Sequence, residues 1–401
     1  MVAQGYESTR IYVRSRGQLG NSYRIECAAE GVCVPANCIR AVLLALGVVC
    51  AAALAGCAKT EIPETSPQPA ETTLLAAGDV LLGRRLGKMM HDSGDFALGF
   101  KKIAPELAAA DLAFANLEGP FCESGPYPGE GMRFRVRPQA IEGLKAAGID
   151  VMSVANNHIA DGGAPCVRFT LDHLREAGIA AAGAGKTYED AHRAEVIERN
   201  GVRFAFLGYT YAAQYDIPPP VGDVTGTEKT LKSDARRRDG VRSAVRKVPG
   251  YVVAGRNEEN LRRDVAAARA RADVVIVSLH DGVEYAQRVA PETESFARAA
   301  IDAGAVAVLG HHPHVPQRVE EYGGGWIFYS LGNFVFQQNT PSATKTALMA
   351  RLTFAGKELR RVEAVPIVID WYSQPRLADD PEGARILQSV GISARVLWEK
   401  K

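Results

Sequence analysis

Ala305-Val306-Ala307-Val308-Leu309-Gly310-His311-His312-Pro313-His314 is the stretch from which the fold is read. An unbroken apolar run bounded by a turn signal reads as a strand buried on both faces. The glycine and the histidines behind it read as the loop at the strand's exit. Open α/β sheets place their ligands at such exits. The chain has eight histidines, and three of them stand here, with His312 and His314 spaced i, i+2. Neutral imidazole is the commonest protein ligand for a transition metal. One histidine in this place reads as a surface loop. Three at a strand exit point to a metal, provided acidic and amide partners occur elsewhere.

Such partners end other apolar runs. Leu74-Leu75-Ala76-Ala77-Gly78-Asp79 ends in a carboxylate. Asp111 to Gly119 carries Asn116 and Glu118 at its end. Val151-Met152-Ser153-Val154-Ala155 runs into Asn156-Asn157-His158. Val274 to Leu279 ends in His280, and Ile327 to Leu331 ends in Gly332-Asn333-Phe334. Each run is followed by a loop or helix, so the order β, α, β, α predicts a largely parallel buried sheet with these tips on one edge. A strand-end Asp or Asn alone reads as a helix cap. Six tips in series read as a metal-site inventory.

The 401 residues are 47% hydrophobic and 23% charged, an ordinary globular composition with ample length for a large core. A net charge of +1 gives no preference for nucleic acid. The seven cysteines include no CxxC pair and no zinc-finger spacing. Residues 1–37 read as an extension upstream of the true start. Residues 38–56 read as a signal peptide: Arg40 precedes the apolar run Ala41 to Ala53, too short to span a membrane comfortably, which leads to Leu54-Ala55-Gly56-Cys57. This ending resembles a bacterial lipobox, which implies lipidation of Cys57 and export to the cell envelope, at the periplasmic face or the cell surface. Residues 57–71 are rich in Pro, Thr, Glu and Ala and read as a flexible tether. The folded part is then 72–401. Within it Cys122 and Cys166 either pair or stay as separate buried thiols.

Seven stretches carry a family resemblance: AAGDVLLGR (76–84), ANLEGPF (115–121), FRVRPQAIEGLKAAGIDVMSVANNHIADGG (134–163), AGAGKTYEDA (182–191), SLHDGVEY (278–285), GHHPHVPQ (310–317) and YSLGNFVF (329–336). In these the chain resembles the CapA family of poly-γ-glutamate capsule biosynthesis proteins, within the calcineurin-like metallophosphoesterase superfamily. The resemblance implies a four-layer α/β/β/α sandwich with two divalent metal ions (Mn, Fe or Zn) at the strand ends. It implies the ligands Asp79, Glu118, Asn157, His280, His312 and His314, with Glu118 bridging, His158 as general acid and His311 outside the ligand set. Two positions depart from the pattern. Leu81 stands where the superfamily's Asp-x-His has its histidine, and Asp281 stands where the family usually has Trp.

An oxygen and imidazole set without thiolate suits Mn, Fe or Zn and argues against copper(I) or iron–sulfur. Asp161, three residues after His158, is placed to orient that imidazole. Arg133, Arg135 and Arg137 alternate, so in an extended segment they share one side. They form either a solvated face or a carboxylate- or phosphate-binding row, with Arg135 the choice for substrate. Asn116, Glu284, Tyr285 and Asn333 are the other expected substrate contacts, although Asn333 also fits a simple turn. Residues 212–250, with Pro218-Pro219-Pro220 and Arg236-Arg237-Arg238, read as a long excursion or lid. Asn257 to Ala272 reads as a helix. Two functions fit. One is an envelope-anchored hydrolase acting on an anionic polymer or phosphoester. The other is a non-catalytic accessory protein that binds poly-γ-glutamate, with membrane proteins of capsule synthesis as partners.

Overall fold

The computed structural model describes residues 70–211 and 251–400. The expected leader, the lipidated Cys57, nearly all of the tether and the excursion at 212–250 lie outside the described residues. The strands are β1 (Glu71–Val80), β2 (Leu112–Leu117), β3 (Val151–Ser153), β4 (Ala180–Ala182), β5 (Ala184–Gly185), β6 (Glu195–Arg199), β7 (Val202–Thr210), β8 (Val252–Val253), β9 (Val274–His280), β10 (Ala307–His311), β11 (Val319–Tyr322), β12 (Gly325–Phe328), β13 (Thr346–Ala355), β14 (Glu358–Ile369), β15 (Pro375–Leu377) and β16 (Val396–Glu399). The helices are α1 (Arg84–Ser93), α2 (Ala104–Ala108), α3 (Ile141–Ala146), α4 (Ala164–Glu176), α5 (Tyr188–His192), α6 (Glu258–Arg269), α7 (Pro291–Asp302) and α8 (Asp380–Ser389).

Two sheets dominate. One runs β15-β14-β13-β1-β2-β3-β4, with β16 beside β14; the other runs β11-β12-β10-β9-β7-β6. Side chains alternate across each central strand. Leu74 and Ala76 of β1, Phe114 of β2, Phe206 of β7, Ile276 of β9 and Leu309 of β10 share the core between the sheets. Their neighbours Leu75 and Ala113 face the outer core with α1 to α4, and Val275, Val277 and Val308 face the outer core with α6 and α7. Both faces are therefore buried, which is why the runs are continuously apolar rather than alternating. The result is the four-layer α/β/β/α sandwich. Phe114 and Phe206 stack across the sheet interface at 5.6 Å. Such a ring pair adds about 0.5–1.5 kcal/mol beyond its burial.

The expected parallel arrangement holds for β1 to β4 and for β7, β9, β10 and β12. It fails for the C-terminal strands. β13 lies antiparallel to β1, and β14 lies antiparallel to β13, β15 and β16. Only Gly356 and Lys357 join β13 to β14, far too few for a parallel crossover. Gly356 takes φ 58°, as a tight hairpin turn needs. The expected helix at Asn257–Ala272 is α6. The Asn257 side chain caps it by accepting from the Asn260 backbone N–H at 2.9 Å, and Leu261, Val265 and Ala268 bury one face.

The carboxyl ends of the two sheets are stitched together by backbone. Asp79 N–H donates to Gly332 O at 3.0 Å, and Phe334 N–H donates back to Asp79 O at 2.8 Å. Two glycines allow this closeness. A Cβ on Gly78 would meet Gly332 O at 1.9 Å, and one on Gly310 would meet Tyr329 O at 1.9 Å. Behind the tips, Cys122 and Cys166 form a disulfide across 44 residues, joining the chain after β2 to the first turn of α4.

Gly310→Ala is expected to lower the urea midpoint by the equivalent of about 3 kcal/mol, since the atoms the new Cβ would meet are all backbone and cannot swing aside. Gly129→Ala, where a Cβ meets nothing within 4 Å, is the control expected to leave it unchanged. Equal midpoints for the two variants would refute the close-packing account. Replacing both Cys122 and Cys166 by Ser is expected to cost about 2–4 kcal/mol in the same measurement.

Candidate metal centre

Six strand-end segments deliver polar groups to one buried spot. β1 brings Asp79, β2 brings Asn116 and then Glu118, and the segment after β3 brings Asn156, Asn157 and His158. From the other sheet, β9 ends in His280 and β10 in His311, followed by His312 and His314. Asn333 comes from the segment after β12. Asp79, Asn116, Glu118, Asn156, His280, His311 and Asn333 are fully buried, and His312 and His314 nearly so. His312 and His314 hold φ 96° and 57°, the left-handed region that side chains avoid. Such residues cost on the order of 1–3 kcal/mol each and cluster at functional sites.

Glu118 is the centre of the arrangement. Neither carboxylate oxygen has a hydrogen-bond partner. Three imidazole Nε2 atoms surround its Oε1: His314 at 3.8 Å, His158 at 3.9 Å and His280 at 3.9 Å. These separations exceed a hydrogen bond. A buried carboxylate without hydrogen bonds, ringed by ring nitrogens, fits a cation between them. Two overlapping triads meet at it, Glu118 with His312 and His314, and Glu118 with Asp79 and His280. In each, one ligand atom per residue lies within 4.8 Å of the others. Asn157 belongs to the same group, its Oδ1 lying 2.8 Å from His280 Nε2.

The electrostatics of the cluster follow from burial. Burial pushes the Glu118 carboxyl well above the usual carboxylate range; the charge of His314 opposes this, and Asp79 and Glu284 add to it. Burial also pushes Asp79 up, but hydrogen bonds and charges from His311 and His314 outweigh it and hold that carboxyl well below its ordinary value. For His314 burial disfavours the charged ring. The Glu118 charge, the Asp79 hydrogen bond and charge and the Asn333 hydrogen bond prevail and raise it to about 9. Burial, then the charge of His314, lowers His312 to about 3, and burial with the charge of His312 carries His280 well below its usual value. The surroundings thus select positive charge at one point between the carboxylates and neutral imidazole around it.

The supporting contacts involve residues that the sequence presented differently. Asn116, expected at the substrate, is fully enclosed. Its Nδ2 donates to Asp79 Oδ1 at 2.8 Å and lies 3.2 Å from His280 Nδ1, so it positions two candidate ligands. Asn333 does the same for His314, whose Nδ1 lies 2.9 Å from Asn333 Oδ1. Asn156, not singled out by sequence, donates to Leu117 O at 2.7 Å and to Asn116 Oδ1 at 3.2 Å. His311 sits with Nδ1 3.3 Å from Asp79 Oδ1 and belongs to neither triad. Glu284 is half-buried and Tyr285 exposed at the mouth, with the Tyr285 ring 6.2 Å from that of His314. Asp281 forms an ion pair with Arg256 and accepts from Thr293 Oγ1 at 3.1 Å. Arg135 is not brought to this cluster; it lies in a separate cleft.

His158 is held from two sides. Its Nδ1 lies 2.8 Å from Asp161 Oδ2, which also accepts from Phe134 N–H at 2.7 Å. The Phe134 ring stacks on the imidazole at 3.8 Å. That ring was invisible as a site residue in sequence, because Phe134 reads as ordinary core. The arrangement leaves Nε2 free to face the cluster.

Among the described residues no helix is long and apolar enough to cross a membrane. The chain is 28% identical over 340 residues to the capsule biosynthesis protein CapA of Bacillus anthracis, covering 82% of this chain and 75% of the relative. It is 29% identical over 326 residues to the PGA biosynthesis protein CapA of Bacillus subtilis, covering 80% and 78%. A solved structure of a hypothetical protein from Thermus thermophilus aligns with a TM-score of 0.44 and 16% identity over 74% of this chain and 98% of that one. The family described as bacterial capsule synthesis protein PGA_cap matches residues 73–338, and the chain belongs to that family.

Proposed function

We propose that this protein is a metal-dependent hydrolase of the cell envelope, acting on poly-γ-glutamate or a related anionic polymer. The observation that carries this reading is the Glu118 carboxylate, buried without a hydrogen bond and faced by three Nε2 atoms, one of them from the braced His158. A binding site for a polymer needs charge; it has no use for an imidazole fixed by Asp161 and aimed at the same point. Asp79, Glu118, Asn157, His280, His312 and His314 would hold two divalent ions, of Mn, Fe or Zn type by donor chemistry. When bound, such a pair supplies Lewis-acid activation of water and neutralises charge at the reacting group.

The chain's own part is positional and protonic. Asp161 engages Nδ1 of His158, so the protonated ring presents Nε2–H toward the cluster and can donate it to a leaving-group atom. The stacked Phe134 ring fixes the imidazole plane and keeps water from one face. Asn116 and Asn333 hold His280 and His314 in place. The disulfide supports the export expected from the leader, because such bonds persist in oxidising compartments. Anchoring through Cys57 is part of the same proposal. A second reading, an accessory protein that binds the polymer without cutting it, is favoured by one feature. Leu81 fills the place of a superfamily ligand and is fully buried in the core.

Glu118→Gln is expected to weaken metal binding by about tenfold or more, read by elemental analysis after dialysis. His158→Ala is expected to keep its metal and lose about 10²–10⁴-fold in turnover on a γ-glutamyl polymer or phosphoester. Asp161→Asn should lose less. If the wild-type protein carries less than one ion and His158→Ala matches it in every assay, the hydrolase reading fails and the accessory reading stands.

A further inference from the structure

Beside the metal centre lies a cleft of about 230 Å³ whose lining includes Arg84, Lys88, Tyr127, Arg135 and Arg137, with Asp92 its acidic member. Its charge is unusually free. The side chain of half-buried Arg135 has no hydrogen bond, ion pair or ring contact among the described residues, while its neighbours Phe134 and Val136 are buried in the core. Arg137 stacks its guanidinium on the Tyr127 ring at 4.3 Å, which leaves its N–H edge unused. Arg84 lies over the Phe134 ring at 4.4 Å; its Nη1 and Nη2 donate to Gln337 O and Gly131 O, and only its Nε is buried without a partner, so it adds charge to the cleft rather than a free edge. Only Lys88 is neutralised, by Asp92. A larger groove of about 720 Å³ near β4 and β6 makes the contrast: there Arg175, Arg193 and Arg199 pair with Asp172, Asp190 and Asp150.

Phe134 joins the cleft to the chemistry. The same ring carries the Arg84 guanidinium and stacks on His158. Guanidinium groups with free edges bind carboxylate or phosphate oxygens in pairs. We propose that this cleft is a second anion subsite, in which Arg135 and Arg137, with the charge of Arg84 beside them, grip an oxyanion carried by the substrate one or more units away from the group at the metal centre. This inference rests on the proposed action on an anionic polymer. It makes the substrate a repeating polyanion, gripped by its carboxylates or its backbone phosphates, rather than a single ester.

The test is binding, read separately from turnover. Labelled octamers of γ-linked glutamate and of glycerol phosphate are titrated by fluorescence anisotropy into the full chain after metal removal with EDTA. At least one octamer should bind, and the one that does names the source of the oxyanion. Arg135→Gln combined with Arg137→Gln should weaken it about tenfold or more, while Arg135→Lys retains most of the affinity. Metal content and thermal midpoint of both variants should match wild type, which separates a lost subsite from a misfolded chain. The inference is overturned if neither octamer binds, if the double variant binds as well as wild type, or if inorganic phosphate displaces the octamer at equal concentration. Failure of the hydrolase reading would show instead as unaltered turnover in His158→Ala, with the cleft result standing independently.

Discussion

A carboxylate removed from water and given no hydrogen bond is the constraint on which this structure turns. Stripping such an ion of its hydration costs several kcal/mol even after relaxation. Glu118 receives nothing from its neighbours at hydrogen-bond distance to offset that cost. The surroundings are nonetheless arranged around it: three Nε2 atoms just under 4 Å away, Asp79 on a neighbouring tip, and two histidines held in left-handed backbone. Strain and desolvation at one point persist only where the rest of the molecule is stable enough to enforce them. The positive charge that the site selects is what a divalent cation would provide in greater measure.

The enforcement comes from the sandwich. Every candidate ligand sits within a few residues of a strand buried on both faces, so its backbone has little room to move. The two carboxyl edges, which supply different members of the cluster, are tied through Asp79, Gly332 and Phe334 by backbone hydrogen bonds. Side-chain amides then fix what backbone cannot. Asn156 ties Leu117 to Asn116, Asn116 reaches Asp79 and His280, and Asn333 holds His314. Each of these amides sets the direction of another polar group in the cluster.

The strand tips were legible in the sequence because each apolar run stops at a carboxylate, an amide or an imidazole. One such ending could be a helix cap, but the same kind of ending repeated on six runs points to a shared site. The C-terminal strands were not legible in that way. β13 and β14 carry no chemistry at their ends, and their direction depends on a two-residue turn that alternation alone does not reveal. Asn116 shows a different limit. Its residue type is right for a substrate contact, and only its distance from Asp79 and His280 shows that its amide is already used. Phe134 and Arg84 failed for the same reason. An aromatic between two arginines reads as core, and nothing in the spacing says that it separates a guanidinium from the His158 imidazole. Arg135 was singled out in the sequence as the arginine for substrate, but its position in a cleft apart from the cluster was not legible there.

The departure at Leu81 gains a physical meaning from these contacts. The resemblance presents it as a lost ligand, since the superfamily places a histidine there. In this fold Leu81 is fully buried, and its backbone N–H donates to Val335 O at 2.9 Å. Its Cδ1 and the Phe134 Cβ both crowd Gly119, where an added Cβ would lie 3.3 Å from one and 2.9 Å from the other. Gly119 itself takes φ 137°, a conformation that needs glycine, and it directly follows Glu118. An imidazole at position 81 would set a polar ring in this apolar seat. Leu81 and Phe134 belong to the same core and flank the same glycine, the one that turns the chain directly after Glu118. The leucine is therefore a packing choice beside Glu118 as well as a missing imidazole, and a histidine restored at this position would have to leave the core in which the leucine is wholly enclosed.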